Sequence, residues 1–185
     1  MFIDITLKVT PQMRSNAPEK EDRTLVGHLG THFDVMDKEF PLDYTRTNGI
    51  VFDVSGIRGR DIEIDDINIS LVEEKQFVAF YTGYIEEEPY GTKKYFAEHP
   101  QLSNNLIDAL LNKNISIIGI DCSGIRQGKE HTPKDQLCAD YGVFVVENLC
   151  GLKVLVDNGS QFVAHTYPVN YSGMSGLPCR VIAEI

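Results

Sequence analysis

The chain has 185 residues, 42% of them hydrophobic, a formal net charge of −10 and a pI of about 4.9. That length and apolar content fit one domain spanning residues 1–185 with a sizeable core. The acidic balance argues against nonspecific binding to nucleic acid or to an anionic membrane, which needs a basic surface.

In chain order, residues 2–8 alternate apolar and polar and predict a first strand, continued by Val9. Residues 11–23 are polar, with Pro11 and Pro18, and read as a surface loop. Residues 24–34 hold the most informative stretch, and 35–48 show no clear period and read as loop. A short strand follows at 50–54, a charged segment at 58–66 with a brief connector over 61–64, and a buried strand at 76–84 rich in aromatic and β-branched residues. Glu86, Glu87 and Glu88 read as a solvated turn. Ser103 suits the N-cap of a helix over 103–113 whose inward stripe is Leu106, Ile107, Leu110 and Leu111. The apolar run at 115–120 is the next strand, and this strand–helix–strand order predicts a partly parallel sheet.

That strand ends in Asp121-Cys122-Ser123-Gly124, at the kind of strand terminus where ligands gather in α/β sheets. A second helix is predicted with Thr132 as N-cap, Pro133 at N1, Asp135 at N3 complementing the helix dipole, and Gly142 as its stop. Residues 143–146 form a strand closed by Glu147. Residues 152–156, 162–167 and 180–185 read as further strands, with a turn over 173–178. No window approaches the ~18 apolar residues of a membrane span. The N-terminus shows no signal-peptide pattern, so a cytoplasmic location is expected. Cys122, Cys138, Cys150 and Cys179 lack CxxC spacing and read as reduced, mainly buried thiols.

The chemistry concentrates in Gly27-His28-Leu29-Gly30-Thr31-His32-Phe33-Asp34. His28, His32 and Asp34 are all ligand types for first-row metals. On an α-helix Asp34 would sit ~240° from His28, and the Gly-Thr pair would weaken the helix. On a straight strand the two histidines would lie ~13 Å apart, yet donors sharing one ion lie within ~4 Å of each other. A shared ion therefore requires a bend, which Gly30 permits. The expectation is a strand running into a tight loop around a metal, set against two unrelated surface histidines beside a loop aspartate.

Elsewhere the residues leave choices open. Glu147 closes a buried strand, where a carboxylate is costly unless paired or bound to a cation; the other reading is a solvent-facing strand end. His131 lies just before the second helix and reads alone as an exposed flanking residue. His99 precedes Pro100 in a polar stretch and reads as surface, and His165 as a satisfied sheet residue. Tyr171-Ser172-Gly173-Met174-Ser175-Gly176 lacks the strand–turn–helix setting of a nucleophile elbow.

Taken together, the motifs resemble the cyclase family of metal-dependent hydrolases, which includes bacterial kynurenine formamidase. That family's signature is H-x-G-T-H-x-D-x-P-x-H, and residues 28–34 match its first seven positions. Thr82-Gly83-Tyr84, Gly119-Ile120-Asp121-Cys122-Ser123, Glu147-Asn148-Leu149 and Gly176-Leu177-Pro178-Cys179-Arg180 resemble its later motifs in order, over nearly the whole chain. The resemblance implies an α/β domain of mixed β-sheets with flanking helices. It implies a homo-oligomer, dimer or tetramer, a small-molecule substrate, and one or two zinc or manganese ions. It assigns His28, His32 and Asp34 to the metal, with a second ion held by a helix histidine and Glu147. The signature's Pro and final His, the latter a general acid/base in formamidases, fall on Met36 and Lys38. Lys38 could replace that His only with a pKa lowered toward neutrality. The helix-histidine position falls on Asp135, with His131 one turn earlier.

The expected activity is hydrolysis of an amide or cyclic amide, arylformamide being the class the resemblance suggests, with Lys38, Glu147 and His131 as catalytic candidates. The alternatives are a dehydration or cyclisation on the same fold, or a metal- or ligand-binding protein without turnover.

Overall fold

The computed structural model describes residues 1–8 and 27–185. The expected loop over 11–23, Val9 and residues 24–26 lie outside them. The described strands are β1 (Phe2–Asp4), β2 (His32–Asp34), β3 (Arg46–Asp53), β4 (Phe77–Tyr81), β5 (Ile117–Ile120), β6 (Phe144–Glu147), β7 (Gln161–Pro168) and β8 (Gly176–Glu184). The helices are α1 (Tyr84–Glu87), α2 (Lys93–Ala97), α3 (Asn104–Asn112), α4 (His131–Asp140) and α5 (Leu152–Asp157).

Strands β3, β4, β5 and β6 are neighbours in sequence order and run parallel. Strand β7 joins β3 antiparallel, β2 joins β6 antiparallel, and β8 pairs with both β7 and β2, so the sheet closes on itself. The result is one mixed barrel of seven strands, with β1 added along the edge of β8 beyond β2. The expected α/β arrangement of mixed β-sheets with flanking helices holds in part: the strands are mixed, but they form one closed barrel with few helices. The parallel strands were legible; the closure was not, because it depends on β8 bridging strands distant in sequence.

The parallel strands are buried on both faces, as parallel strands usually are. Phe33, Val51, Phe77, Ile117, Val146, Phe162 and Val181, one from each barrel strand, share a single apolar cluster that fills the barrel. Residues of opposite parity, such as Val78, Phe80, Ile118, Ile120 and Val145, pack outward with Leu106, Ile107 and Leu110 of α3. Ser103 caps α3 by accepting from the Leu106 N–H, as predicted. Full burial of each of those side chains contributes roughly 1.5–3 kcal/mol.

Four other sequence expectations change. Residues 152–156 form helix α5, not a strand: Leu152 and Leu155 are buried while Lys153 and Val154 are exposed, a helical spacing that the short apolar run concealed. Helix α4 starts at His131 rather than after a Thr132 cap, which moves Asp135 from the first turn into the helix interior. The predicted turn over 173–178 ends early, because Gly176 already belongs to β8. His99 is buried, not surface. The four cysteines are free thiols, and Cys122 and Cys138 are buried. Among the described residues no helix is long and apolar enough to cross a membrane.

Candidate metal centre

Strand β2 is only three residues long, and alternation decides what each of them meets. Phe33 points into the barrel. His32 and Asp34 therefore share the outer face, toward α4. The β2–β6 register sets His32 directly opposite Glu147, the last residue of β6. His28 reaches the same place because the chain bends before β2, with Gly30 at φ +73°. The bend falls where expected, but the order is loop then strand.

The three donors form a compact triangle. His28 Nδ1 lies 3.0 Å from His32 Nε2 and 3.0 Å from Asp34 Oδ1, while His32 Nε2 lies 3.5 Å from Asp34 Oδ1. Two donors each ~2.1 Å from one ion are ~3.0 Å apart at a right angle and ~3.4 Å apart at a tetrahedral angle. The triangle thus has the dimensions of one face of a coordination shell.

A second set adjoins it. His131 and Asp135, one turn apart on α4, bring His131 Nε2 within 3.2 Å of Asp135 Oδ2 and 3.2 Å of Glu147 Oε1. His32 Nε2 is 3.6 Å from Glu147 Oε2. One donor atom each from Asp34, His131, Asp135 and Glu147 falls within a 4.8 Å span, so Asp34 belongs to both sets. Gly124, at φ +130°, leaves room for the His131 ring: a Cβ there would lie 3.0 Å from its Cε1.

The electrostatics call for a cation. Asp34, Asp135 and Glu147 are each 3% exposed or less. Asp34 Oδ2 and Asp135 Oδ1 accept no hydrogen bond, a costly condition for buried carboxylate oxygens, and Glu147 Oε1 meets the His131 ring at 3.2 Å. Burial, then the charges of Asp34 and Glu147, push the Asp135 carboxyl well above the usual range. Burial opposes a charge on His32, but Asp34 and Glu147 beside it prevail and hold its pKa at about 9. Burial likewise works against Asp34, yet His32 and His28 hold it well below the usual carboxylate range. The buried oxygens, the donor spacings and the mix of imidazole and carboxylate fit one or two divalent metal ions.

A cavity of about 300 Å³ opens onto these groups, lined by His28, His32, His131, Glu147, Asn148 and Phe96 among others. Lys38 does not reach it. Its ammonium pairs with Asp140 at 2.8 Å and Asp37 at 3.1 Å, and it lines a separate groove with Phe40 and Tyr167. The hydrogen bonds it donates to Asp140 and Asp37 raise its pKa, the opposite of what a base at neutral pH requires. Glu147 and Asp135 also depart from their simplest sequence readings: neither is solvent-facing, and Asp135 does not sit at a helix N-terminus.

Sequence reasoning missed several supporting contacts. Ser175 Oγ lies 2.9 Å from His28 Nε2. Gly176 leaves space for that ring, since a Cβ would meet His28 Cδ2 and Nε2 at 2.9 Å. The Asp121 carboxylate accepts from the Thr82 N–H and hydroxyl and from the Gly83 N–H, tying the ends of β4 and β5 together. That knot is the physical content of the Thr-Gly and Gly-Ile-Asp motifs.

The fold is shared with known proteins. Among solved structures, one described as a "potential metal-dependent hydrolase with cyclase activity" is 22% identical, with a TM-score of 0.74 over 99% of this chain and 98% of its own. A predicted metal-dependent hydrolase from Bacillus stearothermophilus is 21% identical, with a TM-score of 0.74 over 99% and 97%. An isatin hydrolase bound to the product analogue thioisatinate is 18% identical, with a TM-score of 0.73 over 98% and 91%. These likenesses establish a shared fold. A search of curated proteins found no match. The family model described as "Putative cyclase" matches residues 3–126, well over half the chain and including the whole His28–Asp34 stretch, and the chain is therefore a member of the cyclase family.

Proposed function

We propose that this protein is a metal-dependent hydrolase of an amide or cyclic-amide C–N bond. The observation that carries the reading is the pair of donor sets sharing Asp34, with buried oxygens of Asp34 and Asp135 that accept no hydrogen bond, beside a cavity lined by His28, His32, His131 and Glu147. His28, His32 and Asp34 would hold one ion; Asp34, His131, Asp135 and Glu147 would hold a second. When bound, such an ion supplies positive charge that polarises a carbonyl and lowers the pKa of water.

The chain's own groups supply the rest. With only the first set filled, His131 Nε2 and Glu147 Oε1 are the pair placed to take a proton from an attacking water and return it to the leaving amine. The cavity is at the lower end of the size range for small-molecule sites, which suits a compact substrate. Isatin, the substrate named for one structural neighbour, is a cyclic amide of that size, and an arylformamide is the open-chain counterpart. Both are reasonable first substrates.

The test is metal content of protein purified without chelator, by inductively coupled plasma mass spectrometry, followed by hydrolysis of an arylformamide and lactam panel with the metal found. One or two equivalents with turnover supports the proposal. Absence of metal and of uptake on titration removes it. Lys38 favours a second reading, a metal-binding protein without turnover, because the residue at the signature's final His position is drawn away by Asp37 and Asp140. Stoichiometric metal without turnover across the panel would decide for it.

A further inference from the structure

The His32 ring is fixed from behind. Its Nδ1 lies 2.9 Å from the Gly30 carbonyl oxygen. A carbonyl can only accept, so Nδ1 carries a proton and Nε2 is the nitrogen turned toward His28, Asp34 and Glu147. His28 is held differently: its outer nitrogen meets the Ser175 hydroxyl, which can donate or accept and so dictates no tautomer.

The Gly30 peptide is itself clamped. Its carbonyl accepts a second hydrogen bond, 2.9 Å long, from Asn148 Nδ2, and its N–H donates to the Tyr90 hydroxyl at 2.9 Å. Asn148 is 1% exposed and held at every polar group. Its Oδ1 accepts from the Tyr95 hydroxyl at 2.7 Å and its carbonyl from the Thr31 hydroxyl at 2.8 Å. Its N–H donates to the Cys122 carbonyl at 2.9 Å. The backbone of Asn148 is left-handed, φ +58°, a conformation asparagine adopts more readily than most residues. Strain and four hydrogen bonds at the residue after Glu147 are a large structural commitment for a side chain that only lines a cavity.

We propose that Asn148 is a positioning residue of the metal centre: its amide holds the Gly30 carbonyl against the His32 ring and thereby fixes which His32 nitrogen is offered to a cation. This rests on the metal-binding reading above. The left-handed Gly30 peptide has no side chain to restrain it, and Asn148 and Tyr90 supply the restraint from outside the loop. Asn148 also joins the two donor sets mechanically, since it follows Glu147 directly and reaches back to the loop that carries His28 and His32.

The test measures the zinc Kd by chelator competition for the wild type and for Asn148→Gly, which keeps the left-handed backbone and removes the amide. Ring-¹⁵N histidine spectra of the zinc-loaded proteins are recorded in parallel. The expected result is a Kd weakened ten- to hundredfold, the range typical of lost partners behind a metal ligand. The circular dichroism should be unchanged, and the His32 signals should lose the single Nδ1-protonated pattern of the wild type. A Kd within about twofold of wild type, with the His32 signals intact, overturns the inference. Tyr95→Phe provides an independent variant that leaves Asn148 in place but frees its Oδ1. It should weaken zinc binding by a smaller factor and blur the same signals; wild-type behaviour of both readouts counts against the proposal. If the wild type binds neither zinc nor manganese, the metal reading itself fails, an outcome visible before any variant is compared.

Discussion

Replacing Asp34 with Asn tests the shared-ligand geometry most directly. Asp34 Oδ1 contacts both histidines of one set, and the residue also belongs to the other. Without metal, the substitution removes one of three crowded carboxylates. That relieves Asp135, whose carboxyl burial and the charges of Asp34 and Glu147 push up, and it deprives His32 of its strongest favourable neighbour. These effects oppose each other, so the metal-free Tm should change little. With metal, the wild type at a free ion concentration ~100-fold above Kd gains ~2.7 kcal/mol per site. A domain of this size shifts by ~2–4 °C per kcal/mol, giving ~5–11 °C for one ion. If losing the carboxylate weakens binding ~100-fold, the same concentration only equals the variant's Kd, and the gain falls to ~0.4 kcal/mol, or ~1–2 °C. Differential scanning calorimetry of both proteins, in chelator and in zinc or manganese, reads this out. A variant that keeps the full wild-type shift would refute the assignment of Asp34 as a ligand shared between the sets.

Three further expectations follow from the same geometry. In the metal-free protein His32 titrates near 9, above the ~6.5 of an unfolded histidine. Its contribution to stability is then complete below ~6.5 and lost as pH rises through about 9. A metal must displace that proton, so affinity should tighten up to about tenfold per pH unit between ~7 and ~8.5; calorimetry in buffers of different ionisation enthalpy should detect the released proton, and a pH-independent Kd with no release contradicts the His32 assignment. Gly176→Ala sets a Cβ 2.9 Å from the His28 ring and should weaken metal binding at least several-fold while the barrel stays folded; unchanged affinity would mean that His28 is not a ligand. Lys38→Met removes a side chain held by Asp37 and Asp140 outside the cavity. It should leave hydrolysis of any substrate found on the amide panel within about twofold, and a collapse of kcat would restore Lys38 as a catalytic group.

How far the sequence discloses such a molecule depends on the range of the interaction concerned. Helix α3 was legible because its cap and its four buried apolar residues lie within one local segment. Helix α5 was not, because a short apolar run carries no decisive period. The closed barrel was hidden for a different reason, the range of its pairings. Strand β8 must pair with β7 along one edge and with β2 and β1 along the other, and those partners lie far apart in sequence. At the site, the ligand types were visible in residues 28–34, but burial was not. Glu147 and Asp135 have innocuous readings as a strand end and a helix-dipole partner until the fold removes water from both. Gly176 and Asn148 were visible only as motif positions, and Ser175 gave no signal; their roles were hidden because each acts on a residue more than a hundred positions away.

One local feature nevertheless joins fold to site. In β2 the same alternation that sends Phe33 into the barrel sends His32 and Asp34 out toward Glu147 and α4. A slip of one residue against β6 would exchange these roles, burying two polar ligands in the apolar interior and setting a phenyl ring beside the carboxylates of Asp135 and Glu147. Neither the core nor the metal centre can therefore be satisfied by the wrong register, and the two demands select the same one. The signature H-x-G-T-H-x-D carries this constraint in its spacing: the final H-x-D is the strand alternation, and the G-T before it is the bend and the hydroxyl contact to Asn148 that return His28 to the same face.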